Sequence, residues 1–345
     1  MLKPNFMNAN IGIFEANYYL PSTKKTLAQV FEDEEKPTES FAANVDFEKD
    51  IGIDALHVAK EETAADLCIN AARLTLSKSA IDPKEIDLII DFTSIPEDYV
   101  APTWSAAGQV QQAIGATRAF TTAINTGGCA SYQTTLKVAC SLMSANDRYN
   151  TALLVAGDKT PEFNHNYFPI TVVSDGGSAV ILKKNMTTRR ILGVEVATVG
   201  RLHDMWVIPG IHNRKTEDIG GKYPRWLHVC GDIQRFNKEL IPINLFMFRK
   251  VMLGVLKQVG KKMEDVDYFV YPTFSAWDQD AFLKAFKLPR EKVSTENMHH
   301  GHLQETDMVV GYVDALEAGR IKDGDLVMLA TNGAGFSWGA SLVQH

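Results

Sequence analysis

A cysteine in a turn of small residues is the strongest candidate for chemistry in this sequence. The segment 124–131 reads Ile-Asn-Thr-Gly-Gly-Cys-Ala-Ser and contains Cys129. An apolar, strand-like run (119–124) enters this turn and a helical pattern (131–143) leaves it, which places the thiol on a strand-to-helix elbow. The paired glycines permit a sharp turn, and the free N–H groups at a helix N-terminus favour a thiolate. Cys129 is therefore a candidate nucleophile, although a free cysteine is more often a small buried apolar residue.

The overall composition limits the kinds of protein that this chain can be. Its 345 residues are 45% hydrophobic, which is enough for two domains or one large duplicated domain. A net charge of −7 without a basic cluster argues against nucleic acid as a partner. There is no signal peptide and no apolar stretch of about 20 residues, so we expect a cytoplasmic protein without a membrane span. The four cysteines are widely spaced, which favours reduced thiols over disulfides or a zinc site.

Two segments that lie 180 residues apart have the same pattern. Residues 84–93 and 264–273 each lead from acidic residues into a buried strand. In both copies there follow a helix, a loop, a second helix and an apolar strand (105–114, 125–129, 131–145 and 152–156; 277–286, 297–302, 306–318 and 326–330). This order predicts an α/β protein of two halves with helices between mixed sheets, divided into residues 1–184 and 185–345.

The internal repeat has a chemical consequence. The loop of Cys129 corresponds to the loop of His302, and equivalent loops of two pseudo-symmetric halves tend to meet at their interface. A thiol beside an imidazole is the nucleophile and base pair that acyl transfer requires. In the alternative interpretation, His302 only fills a polar slot in the loop. Because adjacent histidines in a loop cannot easily share one ion, we expect no metal site at His299, His300 and His302.

Several motifs together resemble the ketoacyl synthase III branch of the thiolase superfamily. They are the cysteine elbow and the runs Ile-Gly-Ile-Phe (11–14), Ser-Asp-Gly-Gly (174–177), Gly-Arg-Ile-Lys-Asp-Gly-Asp (319–325) and Gly-Phe-Ser-Trp-Gly (335–339). The resemblance implies a thiolase-like, five-layered αβαβα fold of two pseudo-symmetric halves and a homodimer. It also implies an acyl-enzyme intermediate on the cysteine, with no bound cofactor and an acyl-CoA or acyl-carrier-protein thioester as co-substrate.

Two positions depart from the pattern of the condensing members. Those enzymes use a histidine and an asparagine to polarise a malonyl thioester, and the matching positions here are Thr273, in the expected substrate pocket, and His302. A histidine at the asparagine position is similar to the ketosynthase-like acyltransferases of natural-product pathways, where a Cys-His-Asp set transfers acyl groups. The position of the aspartate is occupied here by Asn332, which by this resemblance would orient His302 through a hydrogen bond.

The resemblance implies roles for two further positions. The backbone N–H groups of Cys129 and Ala334 would form an oxyanion hole, since glycine-rich turns expose such donors. Trp104 follows a loop (95–103) that is longer than in the second copy, near the place where family members insert a residue into the partner's acyl channel. We therefore expect Trp104 in the substrate pocket.

Together these features predict an acyltransferase of secondary or lipid metabolism. It would move an acyl group from a CoA or carrier-protein thioester through acyl-Cys129 to a hydroxyl or amine of a small-molecule acceptor. Two alternatives stay open. One is carbon–carbon condensation, as in enzymes that form β-ketoacyl chains, pyrones, resorcinols or quinolones, and the other is a non-catalytic partner subunit of a heterodimer.

Overall fold

The computed structural model of the protein describes residues 9–29, 51–94, 106–125, 127–160, 167–168, 171–207, 229–230 and 232–345. The strands are β1 (Gly12–Tyr19), β2 (Lys24–Thr26), β3 (Ala55–His57), β4 (Leu88–Asp91), β5 (Phe120–Ala123), β6 (Thr151–Asp158), β7 (Tyr167–Phe168), β8 (Thr171–Val172), β9 (Gly176–Lys183), β10 (Arg190–Thr198), β11 (Trp206–Val207), β12 (Val229–Cys230), β13 (Tyr268–Val270), β14 (Leu326–Gly333) and β15 (Ser337–Gln344). The longer helices are α1 (Ala64–Ser79), α2 (Ala106–Ile114), α3 (Ser131–Ala145), α4 (Ile241–Val259), α5 (Ala276–Phe286) and α6 (Asp307–Glu317).

The central sheet has nine strands and consists of two half-sheets of the same design. The first runs in the order β5-β4-β6-β9-β1 and the second in the order β10-β15-β14-β13. In each, two neighbouring strands are parallel and the next two pairs are antiparallel. A parallel bridge between Phe269 and Val293 takes the place of β5 in the second half. The half-sheets meet at the pair Gly12 and Arg190, and the division after residue 184 stays a prediction.

Helices lie between the half-sheets and on both outer faces. α3 contacts β6, β10 and β15, and α6 contacts β1, β9, β13 and β14, so both helices form the middle layer. α1 and α2 cover the first half-sheet, and α4 and α5 pack with the apolar residues of the second. The five-layered αβαβα fold that the sequence predicts is therefore confirmed.

Alternate residues of each strand enter different cores. Leu88 and Ile90 of β4 pack in the middle core with Tyr132 of α3 and Met308 of α6, whereas Ile89 faces the outer helices. Burial on both faces explains why these strands read as continuous apolar runs rather than as alternating patterns. In the part of the chain that the structure describes, no helix is long and apolar enough to cross a membrane.

Two glycines allow α1 to lie directly on the first half-sheet. Gly157 of β6 and Gly177 of β9 are opposite each other. A Cβ on Gly157 would lie 2.2 Å from the carbonyl oxygen of Ala64, and a Cβ on Gly177 would lie 2.3 Å from that of Leu67. Both carbonyls belong to the first turn of α1, so any side chain at either glycine would push the helix away.

We expect Gly177→Ala to lower the free energy of unfolding by about 1–3 kcal/mol, because the added methyl group overpacks the contact with α1. The measurement is urea-induced unfolding followed by circular dichroism. Gly108→Ala in α2 is the matched control, since a Cβ there would meet no atom within 4 Å. In the control, replacing a helical glycine should raise the free energy by about 0.5–1 kcal/mol. Equal stability of Gly177→Ala and the native protein would contradict the close contact.

Candidate active site

Cys129 lies on the strand-to-helix elbow that the sequence predicts. After β5, Gly127 and Gly128 adopt φ values of 115° and 52°. A 3-10 turn at Gly128–Ala130 then leads into α3, which begins at Ser131. Positive φ values favour glycine, so the two glycines allow the chain to reverse within a few residues. The thiol is thereby placed at the start of a helix in the middle layer.

Two glycines also bring the amide groups of Cys129 and Ala334 together. A Cβ on Gly128 would lie 2.6 Å from the Ala334 nitrogen, and a Cβ on Gly333 would lie 2.4 Å from the Cys129 nitrogen. The elbow and the turn between β14 and β15 therefore pack backbone against backbone. This approach supports the proposal that the two N–H groups form an oxyanion hole, although their role stays a prediction.

The backbone of His302 is fixed on both sides. Its N–H donates to the carbonyl of Val172 at 2.7 Å, and its carbonyl accepts from the N–H of Ser174 at 2.8 Å. The preceding Gly301 has a φ of 73°, and a Cβ there would lie 3.1 Å from the Ser174 side chain. The loop is therefore held against the segment that leads into β9, and the histidine ring has a defined direction.

Cys129, His302 and Asp307 form a continuous hydrogen-bonded set. The Cys129 Sγ lies 3.4 Å from Nε2 of His302, and Nδ1 of the same ring lies 2.6 Å from Oδ2 of Asp307. The side chains of His302 and Asp307 are 3% and 0% exposed. The backbone N–H of Thr273 donates to Oδ2 and that of Leu303 donates to Oδ1 of Asp307, both at 2.8 Å. We assign the Nδ1–H tautomer to His302, so that Nε2 presents its lone pair to the thiol.

The sequence-based assignment of Asn332 as the residue that orients His302 is wrong in this structure. Nδ1 of His302 is bound by Asp307, and Nε2 faces Cys129. Asn332 is buried elsewhere in the site, where its Nδ2 donates to Oδ1 of Asn244 at 2.8 Å. The spacing of five residues between His302 and Asp307 at the start of a helix was the signal available in the sequence, but it is not specific.

Thr273 does not line the substrate pocket as expected. It is 1% exposed, and its backbone N–H supports Asp307. The next residue, Phe274, has its ring centroid 4.7 Å from that of His302 and lines the cavity described below. Trp104, the other pocket residue expected from the sequence, lies outside the described residues.

Burial raises the pKa of the Cys129 thiol well above its ordinary value, and the carboxyl groups of Glu305, Asp307 and Asp158 raise it further. Glu305 is itself fully buried and accepts hydrogen bonds from the backbone N–H and the hydroxyl of Ser94. Burial and the neighbouring Asp158 raise the pKa of Glu305 well above its ordinary range. These surroundings oppose the effect expected from the helix N-terminus and favour the neutral thiol, which a base would have to activate.

A cavity of about 300 Å³ opens next to Cys129 and His302. Aromatic side chains form much of its wall, and polar side chains lie among them. The sequence identified none of them as a pocket residue, although Asn332 was expected in a different role (aromatic: Trp206, Phe236, Phe274, Trp277, Phe336; polar: Ser94, Asn125, Thr171, His203, Asn244, Asp278, Gln304, Asn332). Burial raises the pKa of Asp278 to about 6. The cavity is large enough for a small organic substrate whose reactive end lies at the thiol.

The three histidines of the second-copy loop point to different partners. His299 lies 2.7 Å from Asp54, and the ring of His300 contacts that of His57, while His302 faces Cys129. Within the described ranges, no group of three or more metal-ligating side chains has the geometry of a metal site. The loop positions one histidine for chemistry and uses the other two for local contacts.

Comparison with known proteins finds a family that the chain resembles. The model of 3-oxoacyl-[acyl-carrier-protein] synthase III matches residues 124–200, and the model of its C-terminal part matches residues 256–345. A β-ketoacyl-[acyl-carrier-protein] synthase III of Clostridium perfringens is 24% identical over 295 residues, which are 85% of this chain and 88% of the relative.

Two solved structures have the same fold. That of 3-oxoacyl-[acyl-carrier-protein] synthase III from Aquifex aeolicus superposes with a TM-score of 0.77 and 21% identity, covering 97% of this chain and 100% of the other. That of ChlB3, which is named an acyltransferase, has a TM-score of 0.80 and 20% identity, covering 97% of each chain. In sequence and in fold, the chain is therefore similar to the ketoacyl synthase III-like branch of the thiolase superfamily.

Proposed function

We propose that this protein is an acyltransferase that passes an acyl group from a thioester, through Cys129, to a hydroxyl or amine. The observation that carries the proposal is the set Cys129, His302 and Asp307, in which a buried carboxylate orients one imidazole toward a neutral thiol. A thiol, a base and an orienting group within hydrogen-bonding reach are the requirements of covalent acyl transfer.

The first half-reaction loads the enzyme. His302 takes the proton from Cys129, and the sulfur attacks the carbonyl carbon of the donor thioester. The N–H groups of Cys129 and Ala334 would stabilise the oxyanion, and His302 then returns the proton to the departing thiolate. In the second half-reaction, His302 removes a proton from the acceptor as it attacks the acyl carbon, and that proton passes to Cys129.

The replaced residues argue against decarboxylative condensation. By family resemblance, condensing members use a histidine at the position that holds Thr273 here, and Thr273 is buried with its backbone committed to Asp307. The adjoining Phe274 offers no polar group to a malonyl thioester. Among the described residues, His302 is the imidazole that contacts the thiol, and His203 is a second histidine in the wall of the same cavity.

Condensation is the second candidate, because the relatives in sequence are named β-ketoacyl-[acyl-carrier-protein] synthases. The third possibility, a non-catalytic partner subunit, is disfavoured because the thiol and a carboxylate-supported histidine are 3.4 Å apart. The relatives' names also support acyl carrier protein as a donor partner, with acyl-CoA as the alternative and a small molecule as the acceptor. A role in natural-product or lipid metabolism belongs to the same proposal.

The direct test of loading is intact-mass spectrometry after incubation with short, long and malonyl groups on CoA and on carrier protein. We expect the mass of one acyl group, located on Cys129 by peptide mapping and absent in Cys129→Ala. If no donor loads the folded protein, the proposed function is wrong and the non-catalytic alternative gains support.

The Cys129–His302–Asp307 set predicts the effects of two substitutions. Because the surroundings raise the pKa of the thiol, His302→Ala should lower both loading and transfer by about 10²–10⁴-fold. Asp307→Asn should lower both steps by a similar factor, since it disturbs the imidazole tautomer. Rapid-quench mass spectrometry measures each step, and the iodoacetamide alkylation rate of Cys129 measures its thiolate fraction. Asp323→Asn, an exposed change of the same chemistry, is the control. Native rates in His302→Ala would show that another base acts.

Malonyl labelled with ¹³C separates transfer from condensation. We expect acyl-loaded enzyme to release no labelled carbon dioxide from malonyl carrier protein or malonyl-CoA, because one imidazole engaged with Cys129 cannot also polarise the second thioester. Detection uses mass spectrometry of gas and products. A β-ketoacyl product carrying two labelled carbons would establish condensation in place of acyl transfer.

We also propose that the protein is a homodimer joined at β5. This strand ends the first half-sheet, and Phe120 within it is 53% exposed. An open edge with an exposed aromatic residue is a ready surface for strand pairing. Light scattering at micromolar concentration should give twice the mass of the chain, and Phe120→Glu should shift it toward the monomer. Phe246→Glu, a change at a phenylalanine of α4 that is 64% exposed, should leave the mass unaltered. A native monomer would contradict the proposal.

A further inference from the structure

The cavity wall contains hydrogen-bond acceptors that the loading of Cys129 does not use. Asn332 and Asp278 both line the cavity, and they are 7% and 7% exposed. The described lining residues include no lysine or arginine. The wall therefore combines the carboxyl group of Asp278 with an unpartnered acceptor on Asn332 and an unpartnered donor, Nε2 of Gln304. The carboxyl group and the unpartnered acceptor bear on the identity of the acyl acceptor.

A tryptophan determines which atom of Asn332 is available. Trp338 Nε1 can only donate, and it lies 2.9 Å from Asn244, which must therefore present Oδ1 to it. Asn332 contacts the same oxygen at 2.8 Å and must therefore donate from Nδ2. Oδ1 of Asn332 is left buried without a hydrogen-bond partner among the described residues. Because the indole fixes both amides, this oxygen cannot become a donor by a flip of the amide group.

The residue with the unpartnered oxygen lines the same cavity as Cys129 and His302. Asn332 directly precedes Gly333, whose Cβ would lie 2.4 Å from the Cys129 nitrogen. A buried acceptor without a partner is costly, so a ligand that supplies an N–H or O–H at this point gains affinity. Asn332 thus carries an unpartnered acceptor in the wall of the cavity that Cys129 also lines.

Asp278 adds a second acceptor to the same cavity. Its Oδ2 accepts from the hydroxyl of Tyr271 at 2.7 Å, which holds the carboxyl group in one orientation. The positive form of His302 is near enough to lower the pKa of Asp278, although burial raises it to about 6. Near neutral pH the carboxyl group is therefore mainly ionised. Among aromatic rings such as those of Phe274 and Trp277, it favours a cationic or N–H-bearing group.

We propose that the acyl acceptor is a primary amine, whose ammonium form is bound by the Asp278 carboxylate and whose neutral form directs one N–H to Asn332 Oδ1 and the other to His302. This inference rests on the proposed acyltransferase function and narrows its acceptor class. An alcohol has one hydroxyl proton, which it gives to His302, and has none left for Asn332. The neutral amine has two N–H protons and can satisfy both partners.

The reaction balances without another reactant. An ammonium form that binds beside Asp278 first loses one proton to that carboxylate or to water. The amine lone pair then forms a bond to the acyl carbon, His302 takes one N–H proton, and the carbon–sulfur bond breaks. The sulfur of Cys129 receives the proton from His302, and the product is a secondary amide that keeps the remaining N–H.

The test uses two probes of equal shape, 2-phenylethylamine and 2-phenylethanol, added to isolated acyl-Cys129 enzyme at pH 8. Product formation is measured by mass spectrometry and corrected for the reaction of each probe with heat-denatured acyl-enzyme. The amine is the stronger nucleophile without any enzyme, so the decisive quantity is how the amine-to-alcohol ratio of kcat/KM changes between variants. Asn150→Ala, at an exposed asparagine outside the cavity, is the matched control for Asn332→Ala.

We expect the native enzyme to prefer the amine after correction, and Asn332→Ala to lower the amine-to-alcohol ratio by about 10- to 100-fold. Asp278→Asn, which keeps an oxygen for Tyr271 but removes the charge, should raise KM for the amine more than it lowers kcat. A merely structural role of either residue would lower both probes together and leave the ratio unaltered.

Each of the remaining outcomes would contradict either the amine inference or the proposed function. If acyl-Cys129 forms but transfers only to the alcohol, or to neither probe, the amine inference is wrong while the loading reaction stands. If Asn332→Ala slows loading by acyl-CoA and the ratio stays native, the amide oxygen binds the donor and the inference is again wrong. If Cys129 is never acylated, the proposed function itself fails.

Discussion

The arrangement of the active site depends on one buried carboxylate, that of Asp307, whose oxygens need hydrogen-bond donors. It is fully buried at the first residue of α6, in the middle layer of the fold. A charge in that position is tolerated only if donors surround it. Those donors come from the end of the second-half strand at Thr273, from the loop at Leu303 and from the ring of His302. One requirement therefore joins helix, strand end and loop, and it fixes the direction in which the histidine faces.

Close backbone packing is the second condition, and it determines the character of the nucleophile. Gly128 and Gly333 let the elbow and the last hairpin touch, so that Cys129 lies in an enclosed place. Enclosure, together with the nearby Glu305, raises the pKa of the thiol. The sulfur thus rests in its neutral form, and its reactivity depends on the adjacent imidazole.

The family fold is retained while the polar groups around the thiol differ from those of its condensing members. The half-sheets, the middle helices and the elbow are common to the family, and they place the second-half loop at the cysteine. By family resemblance, condensing enzymes place a histidine and an asparagine beside the thiol on two different loops. In this chain the hydrogen-bonded polar pair beside the thiol is His302 and Asp307. Two further polar residues, Asn332 and Asp278, lie in the cavity wall. Asn332 donates to Asn244, which also accepts from Trp338, and Asp278 accepts from Tyr271.

The sequence by itself determined the features that depend on local patterns. Apolar runs predicted the strands, the glycines at 127 and 128 predicted the elbow, and the repeat predicted that the loops of Cys129 and His302 meet. It could not identify Asp307, because the contact with His302 depends on a loop in which Gln304 adopts a φ of 55° and on donors from Thr273, 34 residues away. Asn332 was misassigned for a related reason. Its amide is fixed by Asn244, 88 residues distant, and by Trp338, which is its partner across the last hairpin. Hydrogen-bond partners of buried polar groups are chosen by three-dimensional proximity, and only the tertiary structure decides them.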